Sequence, residues 1–162
     1  MRTQLLALFV GVIALGIAAP AGAAEKTRCE VLAIEASNAR QGVDPDLAAV
    51  LGPHASALAK PPFAAFDSFQ LKARAAYDLE LGTAVELTLP APFSGRLALG
   101  GQASAKLDLT LDIVRQGSQP IRINGKARPG APLFAAGFAS AKGTWIFGVI
   151  CDRPPSAGIV QH

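Results

Sequence analysis

The sequence predicts a mainly β fold, an antiparallel β-sandwich or squat barrel of about eight strands with one short N-terminal helix. Two observations support this prediction. Apolar and polar residues alternate with a period of two over most of the chain, which is the pattern of antiparallel strands with one buried and one wet face. Glycine and proline residues separate these runs at short intervals, as they do in sandwiches and barrels.

The chain opens with a segment that predicts a secretory signal peptide, residues 1–24. Arg2 precedes an apolar run from Leu5 to Ala19, and a proline and small residues follow it. This run is shorter than the roughly 18 to 20 apolar residues that span a bilayer. We therefore expect residues 25–162 to form a single β-rich domain, periplasmic or secreted, with no stable membrane insertion after cleavage.

The first and last predicted strands are apolar on both faces, unlike the strands between them. Residues 28–37 and 143–151 therefore indicate central strands that are covered on both sides. Each strand contains one of the two cysteines, Cys29 and Cys151, and an even pair in an oxidising compartment is more often bridged than free. If the two strands are neighbours, the thiols meet in a disulfide.

The alternation is clearest in residues 105–114. Asp108, Thr110 and Asp112 share the polar face of this predicted strand. The two carboxylates are about 13 Å apart in an extended strand, too far to share one metal ion or act as a catalytic pair. We interpret them as solvated strand residues, and we place a turn at Gly100–Gly101 just before this strand.

One segment interrupts the β pattern and predicts a short helix. Asp44 is a good N-cap residue, and Pro45 suits the first helical position. Gly52–Pro53 is expected to interrupt the helix, after which one more turn is expected before it stops ahead of Pro61.

The stretch KPPFAAFDSFQLK, residues 60–72, places three phenylalanines at intervals of three: Phe63, Phe66 and Phe69. They form either an exposed aromatic docking surface or a plug of the core. We favour the plug, with Pro61–Pro62 as an extended elbow from helix to sheet. On this interpretation Phe63 and Phe66 fill the end of the sandwich, and Phe69 continues into the next strand.

The charge of the chain is too balanced to predict a nucleic acid or an anionic membrane as partner. There are 15 basic and 12 acidic residues, and loss of the signal peptide would leave a net charge of about +2. The charges are scattered along the chain rather than clustered.

Catalytic motifs are absent from the sequence. It contains no Gly-x-Ser-x-Gly, no His-Glu-x-x-His and no P-loop. We therefore predict no catalytic residue, no cofactor and no metal site. Asp67, beside the phenylalanines, is the only catalytic candidate that merits a test, and His54, at the helix break, is interpreted as a surface histidine.

Four motifs together resemble an uncharacterised family of short exported β-rich proteins of myxobacteria and related Gram-negative bacteria. They are VLAIEASN, VDPDLAAVLG, KPPFAAFDSFQL and PLFAAGFASAKGTWIFGVI. The resemblance covers most of the chain after the signal peptide and implies no activity.

The leading functional hypothesis is an exported, non-enzymatic binding or accessory module of the cell envelope. Its partner would be an envelope protein or a glycan. One alternative is a surface-fibre or adhesin-like subunit, in which apolar terminal strands pair with another chain. Another is a hydrolase that uses Asp67 in an unrecognised carboxylate site.

Overall fold

The computed structural model describes residues 26–103 and 106–152, so the predicted signal peptide lies outside the described residues. Within these ranges the chain forms nine strands, one α-helix and one 3₁₀ helix. The strands are β1 (Lys26–Ser37), β2 (Gly42–Val43), β3 (Ser68–Glu80), β4 (Ala84–Leu87), β5 (Phe93–Ala103), β6 (Lys106–Arg115), β7 (Ile121–Ala127), β8 (Leu133–Ala139) and β9 (Gly143–Cys151). The helix α1 (Pro45–Leu51) continues directly into the 3₁₀ helix (Gly52–Ala59).

The strands form two sheets that pack face to face. The five-stranded sheet has the order β2-β3-β1-β9-β8, and the four-stranded sheet has the order β4-β5-β6-β7. All pairings between these strands are antiparallel except that of the two-residue β2 with β3. The predicted mainly β fold is therefore confirmed as a sandwich-like pair of sheets, and β2 accounts for the strand beyond the expected eight.

The inner faces of the two sheets form the larger of two hydrophobic cores. Alternation in β6 contributes four apolar side chains to this core, each at most 2% exposed. They are Leu107, Leu109, Leu111 and Ile113. The period-two pattern thus predicted correctly which face of β6 is buried.

β1 and β9 lie side by side inside the five-stranded sheet and are buried on both faces. Val31 of β1 and Val149 of β9 face the larger core, whereas Leu32 and Ile146 face the second core on the other side of the sheet. This arrangement confirms the prediction that the two apolar strands are central and covered on both sides.

Cys29 and Cys151 are direct cross-strand partners in β1 and β9. Their sulfur atoms are 2.04 Å apart, the length of a disulfide, and both side chains are fully buried. The pairing agrees with the expectation that the thiols meet when the two strands are neighbours.

The second core lies between the outer face of the five-stranded sheet and a helical layer, which we define as residues 44–66. Leu47, Leu51 and Leu58 of this layer are at most 2% exposed and pack on β1 and β9. The side chain of Asp44 caps α1 by accepting a hydrogen bond from the Asp46 amide at 2.9 Å. The predicted cap, the break at Gly52 and the stop before Pro61 are all present.

The phenylalanines of residues 60–72 belong to this second core rather than to the end of the sandwich. Phe63 and Phe69 are buried, with 7% and 4% exposure, and Phe66 is half-buried. The Phe63 ring meets the Phe134 ring of β8 edge to face, with centroids 5.5 Å apart. The end of the sandwich is instead filled by another aromatic group, in which Phe93 packs against Trp145.

Two local predictions were wrong. Pro61–Pro62 lies in a hydrogen-bonded turn rather than an extended elbow, because the Lys60 carbonyl accepts the amides of Phe63 and Ala64. Gly100–Gly101 does not end a strand, because β5 accommodates it as a bulge opposite Asp108 and continues to Ala103.

Candidate functional site

The two sheets differ in what covers their outer faces. The helical layer packs on the five-stranded sheet, whereas no described residue packs over the outer face of the four-stranded sheet. We call this second surface the open face. Its outward residues are Ala84 and Glu86 of β4, Ser94, Arg96 and Ala98 of β5, Asp108, Thr110, Asp112 and Val114 of β6, and Arg122, Asn124 and Lys126 of β7.

A row of four alternating charges crosses the open face at right angles to the strands. Glu86, Arg96, Asp112 and Arg122 are successive cross-strand partners in β4, β5, β6 and β7. We call this set the charged row. Because directly opposed side chains of neighbouring strands lie about 5 Å apart, the register places four charges side by side.

The charged row is organised as two ion pairs. Arg96 donates to Glu86 at 2.5 Å, and Arg122 forms a forked contact with both oxygens of Asp112 at 2.6 and 2.9 Å. The hydrogen bond from Arg122 has the largest effect and lowers the pKa of Asp112, burial opposes it, and the charges of Arg122 and Arg96 lower the pKa further. The same contact raises the pKa of Arg122. Asp112 is therefore held in its charged form.

The rows beside the charged row carry shorter or fully paired side chains. Ala84, Ala98, Thr110 and Asn124 form the next row, in which the Thr110 hydroxyl donates to Asn124 at 2.9 Å. Beyond them, Lys126 contacts Asp108 at 2.7 Å. The open face thus has a row of short side chains in the middle, with ion-paired side chains in the rows on either side.

A groove of about 570 Å³ follows the charged row. Its lining includes all four members of the row together with Ser94, Gly95, Val114 and Pro120. Five of these eight lining residues are polar or charged, although apolar atoms make up most of the exposed lining.

The residues singled out from the sequence lie elsewhere. The carboxylate of Asp67 accepts the backbone amide of Arg40 at 2.8 Å, so it fixes the loop that follows β1. His54 lies half-buried in the 3₁₀ helix. Cys29 and Cys151 are sealed in the larger core, and the phenylalanines of residues 60–72 support the helical layer. None of these residues belongs to the charged row.

Sequence reasoning missed the charged row as a unit. It identified Asp108 and Asp112 as outward strand residues, which is correct, but it gave them no partners. The partners lie on neighbouring strands, 10 and 18 residues away along the chain. The available signal was that successive strands carry charged residues at outward positions. The strand register must also be known before these residues can be aligned as neighbours in one row.

Comparison of the chain with models of protein families, with curated proteins and with solved structures found no match. Among the described residues, no helix has the length and apolar character to cross a membrane. The interpretation of the open face therefore depends on its geometry and charge.

Proposed function

We propose that the protein is an exported, non-enzymatic binding or accessory module of the cell envelope that docks a protein partner on its open face. The observation that carries the proposal is the charged row on a sheet face that no described residue covers. Glu86 and Arg96, with exposed side-chain fractions of 70% and 64%, remain accessible to a partner. Arranged charges of this kind contribute more to orientation and specificity than to affinity.

A protein partner fits the open face better than a glycan or a small metabolite. The outward residues of the described open face include no aromatic side chain, so no ring is available there for a sugar to stack on. The open face instead presents short side chains and a row of alternating charges. A surface of this kind is complementary to another folded surface with charges of opposite order.

The buried disulfide supports export. Disulfides form and persist in oxidising compartments and are rare in the reducing cytosol. Cys29 and Cys151 are paired inside the larger core. Together with the signal peptide predicted for residues 1–24, this pairing favours a periplasmic or secreted location.

Site-directed photo-cross-linking in the producing cells tests the proposal. A photoreactive amino acid replaces Thr110 at the centre of the open face in one variant. In the matched control it replaces Ala76, an exposed residue of β3 on the outer face of the other sheet. We expect protein adducts from the Thr110 position and few from the Ala76 position. Equal adducts from both positions, or none from Thr110, would contradict the proposal.

A further inference from the structure

We propose that the partner of the open face is a second copy of this chain, so that two charged rows face each other in a symmetric dimer. The inference rests on the proposed function, because it names the occupant of the same face. It follows from the order of charges in the row, which is negative, positive, negative, positive from β4 to β7.

This order is self-complementary under a two-fold rotation. Take an axis that runs parallel to the strands, between β5 and β6, in the plane of the interface. Rotation about it places β4 opposite β7 of the second copy and β5 opposite β6. Glu86 then faces Arg122 of the second copy, and Arg96 faces its Asp112. Each charge of the row meets an opposite charge, as an isologous interface requires.

The other in-plane two-fold axis is excluded by the same charges. An axis along the row would place every strand opposite itself, so that Arg96 faces Arg96 of the second copy and Asp112 faces Asp112. Like charges set against each other across an interface oppose association. The charged row therefore selects one dimer orientation and rejects the other.

The rows next to the charged row permit a close approach in the selected orientation. Ala98 comes to face Thr110 of the second copy, so small side chains meet at the centre. Asp108 comes to face Gly101 of the second copy, which has no side chain. No like charges are opposed in these rows, and the short side chains let the two sheets approach each other.

The size of the face predicts a weak dimer. Four strands at about 4.8 Å spacing, over roughly seven residues at about 3.3 Å each, bury on the order of 1,000 Å² in total from the two copies. This is the low end of the range for protein interfaces, typical of transient association. Charges at an exposed interface are screened by salt, so the dimer is expected to weaken as ionic strength rises.

Analytical ultracentrifugation of the purified protein tests the dimer directly. We expect reversible dimerisation at protein concentrations up to about 1 mM and low ionic strength, with the dissociation constant rising as salt is added. The double variant Arg96→Glu/Arg122→Glu has a wholly negative row, and its dissociation constant should rise about tenfold or more. Arg28→Glu, on the outer face of the five-stranded sheet, is the matched control and should dimerise like the wild type.

Mixing and full reversal separate a charge effect from a folding defect. Glu86→Arg/Asp112→Arg has a wholly positive row, so it should dimerise as weakly alone as Arg96→Glu/Arg122→Glu does, but an equal mixture of the two should dimerise about as tightly as the wild type. The variant with all four substitutions restores alternation in the opposite order and should dimerise again. A monomeric wild type at about 1 mM in low salt, an unaffected Arg96→Glu/Arg122→Glu dimer or a monomeric mixture would each overturn the inference.

The two proposals fail in different ways. If the purified protein stays monomeric while Thr110 cross-links to a different protein in cells, the inference is wrong and the proposed function stands. If the protein dimerises in solution but Thr110 gives no adduct in cells, the docking role of the open face is wrong.

Discussion

At the scale of single residues, the structure makes a pH-dependent prediction for Asp112. Its pKa in the folded protein lies below the ordinary value, mainly because Arg122 donates to the carboxylate. A carboxyl with a lowered folded pKa stabilises the fold above its unfolded pKa, and this contribution is lost as pH falls through the folded value. The Asp112→Asn variant should therefore have a lower Tm than the wild type at pH 7. The difference should shrink below a pH of about 4.

Asp78→Asn is the matched control for this experiment. Asp78 of β3 also faces an arginine on the neighbouring strand, Arg28 of β1. Their closest side-chain nitrogen and oxygen atoms are 3.9 Å apart, and both side chains are more than half exposed. We expect this variant to have nearly the Tm of the wild type at both pH values. Thermal unfolding of dilute protein followed by circular dichroism measures both variants. A Tm loss for Asp112→Asn that persists unchanged at pH 3 would contradict the prediction.

Single residues were the hardest scale to predict from the sequence. Asp67 was a catalytic candidate because it stands beside phenylalanines, yet its carboxylate accepts the amide of Arg40, 27 residues earlier in the chain. Asp112 was correctly taken as an outward strand residue, and its partner Arg122 was not foreseen. Both partners were missed for the same reason. A side chain's partner depends on loop geometry and strand register, which local patterns do not encode.

At the scale of elements, the helical layer depends on a few buried apolar side chains. Phe63 is almost fully buried between this layer and Phe134 of β8. Phe66 lies at the rim of the same core and is half-buried. The two residues are of the same type and lie three positions apart in the chain, so they form a matched pair that differs mainly in burial.

Alanine substitutions in the helical layer should follow this difference in burial. Phe63→Ala is expected to lower the free energy of unfolding by about 3 to 5 kcal/mol, the cost of removing a buried ring. Phe66→Ala should cost roughly half as much, because water already reaches part of that ring. Urea unfolding of the two variants and the wild type measures both costs. Equal losses, or a larger loss for Phe66→Ala, would refute this account of the layer.

Elements with a clear period or a strong capping signal were predictable from the sequence. The alternation of β6 and the Asp44 cap of α1 are local patterns, and both are present. Gly100–Gly101 has the composition of a turn, but pairing with β6 absorbs it as a bulge inside β5. Pro61–Pro62 suggested extended backbone, but the chain forms a turn there, because the Lys60 carbonyl accepts the amides of Phe63 and Ala64. Strand pairing decided the conformation at Gly100–Gly101, whereas a local turn closed by the Lys60 carbonyl decided it at Pro61–Pro62.

At the scale of the whole molecule, β1 and β9 connect distant parts of the described chain. They pair with each other in the interior of the five-stranded sheet and are flanked by β3 and β8. The surface-fibre hypothesis relied on these apolar strands being free to pair with another chain. In the structure both β1 and β9 are hydrogen-bonded to a neighbouring strand of the same chain on each side. Near the disulfide, Gln102 donates to Thr27 at 2.8 Å and links the two sheets at the same end.

The disulfide should contribute a large part of the stability of this architecture. It joins residues 122 positions apart and so restricts nearly all of the described chain in the unfolded state. In the chain-entropy model a loop of this length corresponds to roughly 4 to 5 kcal/mol. We expect Cys29→Ala/Cys151→Ala to lose on the order of 4 kcal/mol in urea unfolding. Dithiothreitol should destabilise the wild type by a similar amount and leave the double variant unchanged. If the double variant unfolds at the same urea concentration as the oxidised wild type, pairing within β1 and β9 holds the sheet together without the covalent bond.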